Sequence, residues 1–179
     1  QGSAENILAN NSASENRYGI SIRACGKNRL QESRLWDNYF NLRIDSGQSA
    51  PQPYNYDFFD QDIDESNLVE NKSVCYLVGE ADLEMPSDCG FLGLVSCKNI
   101  IASGLNISNS SSGVLLVNST GCRIQSSSIK SSEWGYMLQN CTSCIISDSR
   151  AADCAVGLSA SGTSSCRLER DRSANCSGE

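Results

Sequence analysis

The chain has 179 residues, a net charge of −7 and a pI near 4.6, a balance that argues against binding a phosphate backbone. Charged residues make up 20% and aromatics 7%, while 31 Ser and 16 Asn fill the remainder, a composition poor for helices and suited to short strands joined by tight turns. No run of 18 apolar residues exists and Gln1 opens without a basic and apolar leader, so neither a membrane-spanning helix nor a signal peptide is expected in this sequence.

Residues 1–45 read as N-terminal coils, the clearest being GISIRACGKNRL from Gly19. Residues 46–88 break that style with SGQSAPQPYNYDFFDQDIDESNLVEN and a re-entry strand in VCYLVGEADLEMPSD. From Asp45 to Asp88 stand eleven of the 21 carboxylates and one base, Lys72. That asymmetry fits either a solvated loop or complementary acidic and basic faces between subunits. Residues 89–179 carry four coils. Gly113, Gly135 and Gly157 are 22 residues apart and open GVLLVNSTGCRI, GYMLQNCTSCII and GLSASGTSSCRL, while Gly90 opens GFLGLVSCKNII one residue further back. Within each unit the apolar positions alternate, the period of a strand. Leu35, Ile107 and Ile129 mark a third inward patch. Three strands and three turns in about 22 residues predict an all-β fold, a right-handed parallel β-helix (solenoid) interrupted by an irregular acidic insert. The rung-start glycines serve either a backbone turn or a tight packing position.

Ten cysteines, an even number, point to an oxidising compartment. Cys122, Cys144 and Cys166 are 22 apart, as are Cys154 and Cys176. Each set should fall on adjacent coils, within the roughly 4.4–6.8 Å Cα separation that a disulfide needs. Cys154–Cys176 is the favoured intrachain bridge; the 122/144/166 column reads rather as small thiols filling the interior than as a disulfide ladder. Cys25, Cys75, Cys89 and Cys97 lie in or near the insert and are candidates for long-range or intermolecular bonds. Cys141 and Cys144 form a lone C-x-x-C, with no His to complete a zinc site. Glycosylation candidates are Asn71, Asn106, Asn109, Asn118 and Asn140, with further sequons at Asn10 and Asn175.

Asp60, Asp62 and Asp64 begin like a calcium loop, but Glu65 and Asn71 stand where an EF-hand wants Gly and Glu. Asp57, Asp60, Asp62 and Asp64 remain candidates for a loose Ca²⁺ site, against a solvated loop. Sugar chemistry would need a pair of outward carboxylates about 5–10 Å apart. Glu133, Asp148, Asp153, Glu169 and Asp171 are the outward acids of the regular coils, and none aligns with another one coil away. Trp36 and Trp134 suit either sugar stacking or packing.

The stretches IDESNLVENKSVCYL and MPSDCGFLGLVSCKNIIASGLNISNSSSGVLLVNSTGCRI resemble NosD-type β-helix proteins, the carbohydrate-binding and sugar-hydrolase repeat class abundant in envelopes of methanogenic archaea. The resemblance implies a right-handed β-helix at the cell surface and no particular chemistry. Its name brings copper into view, and soft thiolates suit Cu(I), yet His is absent and only Met85 and Met137 are present. The expectation is a secreted, non-catalytic structural protein of a surface layer or sheath, without a cofactor. Its partner is expected to be itself, through open solenoid ends and disulfides. The alternative is a carbohydrate-binding or carbohydrate-cleaving module with envelope polysaccharide as its ligand.

Overall fold

The computed structural model describes residues 4–47 and 55–177, and the period-two pattern folds there as an all-β parallel β-helix. The first coil is β1 (Ile7–Ala9), β2 (Ser12–Ser14) and β3 (Tyr18–Arg23). The second is β4 (Arg29–Gln31), β5 (Arg34–Trp36) and β6 (Phe40–Asp45). They stack in register, Leu8 on Leu30, Ala13 on Leu35 and Ile20 on Leu42.

The coil then continues inside the stretch read as insert. After a 3-10 turn, Tyr56–Phe59, the strands β7 (Asp62–Ile63) and β8 (Leu68–Val69) pair in parallel with β4 and β5. Phe59, fully buried, anchors the return of the excursion. Gly26 accommodates it, because a Cβ there would stand 2.2 Å from the Asp57 carbonyl oxygen.

At β8 the chain reverses. It meets β9 (Lys72–Val78) as an antiparallel hairpin with Val69 opposite Lys72. The two loop residues, Glu70 and Asn71, have φ of 50° and 62°, as a type I′ turn requires. The second block is β10 (Glu84–Met85), β11 (Cys89–Val95), β12 (Ile101–Ser103), β13 (Asn106–Ser108), β14 (Ser112–Val117), β15 (Arg123–Gln125) and β16 (Ser128–Lys130). It ends with β17 (Trp134–Gln139), β18 (Ile145–Ser147), β19 (Arg150–Ala152), β20 (Val156–Ser161), β21 (Arg167–Glu169) and β22 (Arg172–Ala174). Its three walls are the long sheet β9-β11-β14-β17-β20, the sheet β10-β12-β15-β18-β21, and the sheet β13-β16-β19-β22.

The structure decides the role of the rung-start glycines. Their φ is not left-handed; they are packing positions. A Cβ on Gly113 would lie 2.1 Å from Ile129, and one on Gly135 would lie 2.5 Å from the Gly157 carbonyl oxygen. Gly90 is out of phase. Leu92 stacks on Val114, and a register shift between Cys89 and Phe91 absorbs the extra residue. Ile101, which stands as far after Gly90 as Ile124 does after Gly113, therefore faces out at 37% exposure, while Ile100 and Ala102 are buried.

Two apolar cores result. One fills the second block, from Leu92 and Leu94 through Val114 and Leu116 to Leu138 and Ile146. The other joins Ile20, Ile22, Leu42 and Ile44 of the first block to Phe91, Val95, Leu115 and Val117, the outward side of the long sheet.

Candidate functional site

The groups with chemical potential concentrate at the coil corners. Most corners turn on one residue with φ near +50 to +70°, commonly Asn, Asp, Ser or Gly, which reach that conformation most readily. The next side chain often enters the corner interior, close to the carbonyl two residues back. Ser132 Oγ donates to the Lys130 oxygen at 3.1 Å and Ser127 Oγ to that of Gln125 at 2.9 Å. In the first block Asn38 Nδ2 donates to Trp36 at 3.0 Å, while its Oδ1 accepts from Asn16 N at 3.0 Å.

The cysteines obey the same rule. All eight unbonded ones, Cys25, Cys97, Cys122, Cys141, Cys144, Cys154, Cys166 and Cys176, directly follow a positive-φ residue. Cys97 Sγ donates to Val95 at 3.4 Å, Cys141 to Gln139 at 3.4 Å and Cys154 to Ala152 at 3.3 Å. The column Cys97/Ser119/Cys141 shows that thiol and hydroxyl are interchangeable there, because Ser119 Oγ donates to Val117 at 2.9 Å.

Around Cys144 the thiols meet one another. The Cys144 Sγ donates to the Ser119 and Thr142 carbonyls at 3.6 and 3.7 Å. The neighbouring Cys144 thiol, then burial, pushes the Cys122 and Cys141 thiols up.

One disulfide is present, Cys75–Cys89, with Cα atoms 5.7 Å apart and a sequence separation of 14. Cys89 lies opposite Ser73, two residues from Cys75, beside the register shift. The two residues expected to bond at long range or between chains thus bond each other across neighbouring strands. Cys154 and Cys176 stay unbonded. In-register parallel side chains stand about 4.8 Å apart, wider than the roughly 3.8 Å Cβ separation of a disulfide.

The calcium candidates are not brought together. Asp62 binds Arg29 at 2.6 Å, Asp64 accepts the Ser66 N–H at 3.0 Å and caps its own turn, and Asp57 and Asp60 belong to the 3-10 turn and its cap. Among the described residues no group of three or more His, Cys, Asp or Glu is arranged to hold a metal ion. The outward acids have structural partners too. Asp148 receives two bonds of 2.6 Å from Arg170. Asp171 accepts the Ser149 and Glu169 N–H groups at 2.8 and 3.2 Å. Of the sequons, Asn71, Asn106, Asn118 and Asn140 are exposed. Asn109 is half-buried and donates to Glu70 at 3.2 Å.

One concavity among the described residues was missed by sequence reasoning. A cleft of about 810 Å³ opens where the first-block corners Glu15–Asn16 and Asp37–Phe40 meet Asn109, Ser131, Ser132 and Asp153 of the second. The Tyr39 ring, 70% exposed, is braced edge-on by Phe40 at 4.6 Å. The junction is tied by Asn41 N on the Asn109 carbonyl at 2.6 Å and Ser111 N on that of Leu42 at 3.2 Å. These corners are far apart in sequence and meet only because the chain reverses after Val69. Trp134 is half-buried, on a column with Ser112 and Val156, and Trp36 is 37% exposed on β5; neither lines the cleft.

A family model described as periplasmic copper-binding protein (NosD) matches residues 87–178, just over half of the chain. No curated protein and no solved structure matches it.

Proposed function

The chain belongs to the NosD family of β-helix proteins, and from that premise we propose that it is a non-catalytic structural protein outside the cytoplasm, built to associate with copies of itself in an envelope layer. The observation that carries this reading is the use made of its reactive groups. Eight thiols cap coil corners or stack on one another, and Asp148 and Asp171 brace neighbouring coils. Such side chains serve the scaffold, and the scaffold offers broad, regular faces. The partly exposed thiols, Cys25, Cys166 and Cys176, are the ones available for cross-links between chains.

Copper, named in the family description, does not fit the described residues. The thiols cap backbone carbonyls, and none of their groupings is arranged around a metal position. Self-association is tested by light scattering coupled to gel filtration and by non-reducing denaturing gels. The expected result is high-mass species that separate fully only when reductant and denaturant are combined. A monomer at every concentration overturns the reading.

The cleft favours a second reading, a carbohydrate-binding module. A braced, exposed Tyr39 beside Asn16, Asp37 and Asp153 offers a stacking ring and hydroxyl partners. A glycan array on the wild type and on Tyr39→Ala tests it, with binding expected to be lost in the variant. A silent array counts against it.

A further inference from the structure

The wall β10-β12-β15-β18-β21 carries one outward column in continuous register: Glu84, Ile101, Arg123, Ile145 and Arg167. Glu84, Arg123 and Arg167 are exposed and have no ion-pair partner among the described residues. Between them Ile101 is 37% exposed and Ile145 half-buried. At about 4.8 Å per coil, Glu84 and Arg167 stand roughly 19 Å apart along the solenoid axis. One flat face therefore presents an acid at one end, a base at the other and two isoleucines between.

From this we propose that the wall is a contact surface for a second copy of the chain, a reading that rests on the self-association proposed above. Two copies related by a two-fold axis along the strand direction at β15 lie face to face with their solenoid axes antiparallel. Glu84 of each then meets Arg167 of the other, and Ile101 meets Ile145. The match is isologous and closes on itself. It puts complementary charges opposite one another and covers apolar side chains that the monomer leaves to water. Arg123 falls on the axis and faces its own symmetry mate, a like-charge pair that opposes the contact. This gives the arrangement a signature that a merely adhesive surface lacks.

The test is sedimentation by analytical ultracentrifugation of the full chain under reducing conditions, with circular dichroism confirming that each variant is folded. Arg167→Glu and Glu84→Lys should each weaken dimerisation about tenfold or more, since each creates like-charge opposition. The double variant should recover the wild-type constant, and Arg123→Gln should tighten it. Raising salt should weaken the wild type, as expected of exposed pairs. If the wild type associates but the single reversals leave its constant unchanged, or the double variant fails to recover, this contact is wrong while self-association stands. If the wild type is monomeric throughout, both fall.

Discussion

At the corners, one backbone angle decides what each side chain does. A left-handed residue turns the chain and sends the next side chain inward, so that position selects a small group able to donate to a nearby carbonyl. Cys, Ser and Asn all qualify, and Cys141→Ser should change stability by less than about 1 kcal/mol in urea unfolding, since one neutral donor replaces another. Ser119→Ala should cost about 1–3 kcal/mol, because Ser119 Oγ also accepts the buried Cys97 N–H at 3.1 Å. A large loss from Cys141→Ser would show that the thiol does more than cap. Asp148 gives a titration to read. Its bonds to Arg170 hold the carboxyl below its ordinary value, so that contribution is present above the ordinary carboxylate range and is lost as pH falls through the lowered value. In Arg170→Ala the Asp148 titration, followed by NMR, should return to the ordinary range. The 22-residue cysteine spacings were legible in the sequence. The phase was not, because periodicity alone does not say which residue of a turn adopts positive φ.

Each coil is held by the one before it, and the glycine column shows how tightly. Gly135 leaves room for the Gly157 carbonyl and for Ala151, whose Cβ would lie 2.7 Å from an added methyl. Gly135→Ala should therefore cost about 1–3 kcal/mol through overpacking, read as a lower urea midpoint with an unchanged slope. A neutral result would mean that the wall yields. The coil repeat was legible because strand, corner and glycine recur together from Gly113 onward. The hairpin was hidden, since Glu70-Asn71 lacks the Asn-Gly or Asp-Gly pair that usually announces a type I′ turn. Glu70 has a second task there. Its Oε1 accepts from Asn41 Nδ2 at 2.8 Å, Asn109 Nδ2 at 3.2 Å and Asp37 N at 3.3 Å. Glu70→Ala should speed amide exchange at Asn41 and Ser111, which tie the two blocks, while amides deep in the second block, such as that of Leu116, stay protected. Unchanged exchange at the junction would show that the backbone bonds suffice.

The reversal gives the long sheet of the second block two buried faces. Its inward side is the solenoid core; its outward side is covered where the first block lies against it. The outward columns record the extent of that cover. One runs Tyr76, Gly93, Leu115, Met137, Ser159 and the next Val78, Val95, Val117, Gln139, Ser161. Both are apolar beside the first block; the first turns polar at Ser159 in the last coil and the second one coil earlier, at Gln139. The run GVLLV carried this information, because a strand buried on both sides reads as continuously apolar instead of alternating. A reading that sought only the inward positions passed over Leu115 and Val117. Ordinary solenoid logic makes Leu115 an outside residue of little weight, whereas the two-block arrangement makes it core. Leu115 and Leu116 are both fully buried, so Leu115→Ala and Leu116→Ala should each cost about 2–5 kcal/mol, and Ser159→Ala, on the same outward column, close to nothing. If the blocks unfold as one unit, all three variants should retain a single coincident transition by fluorescence and circular dichroism. A Leu115→Ala variant as stable as the wild type would mean that the first block does not cover the sheet in solution.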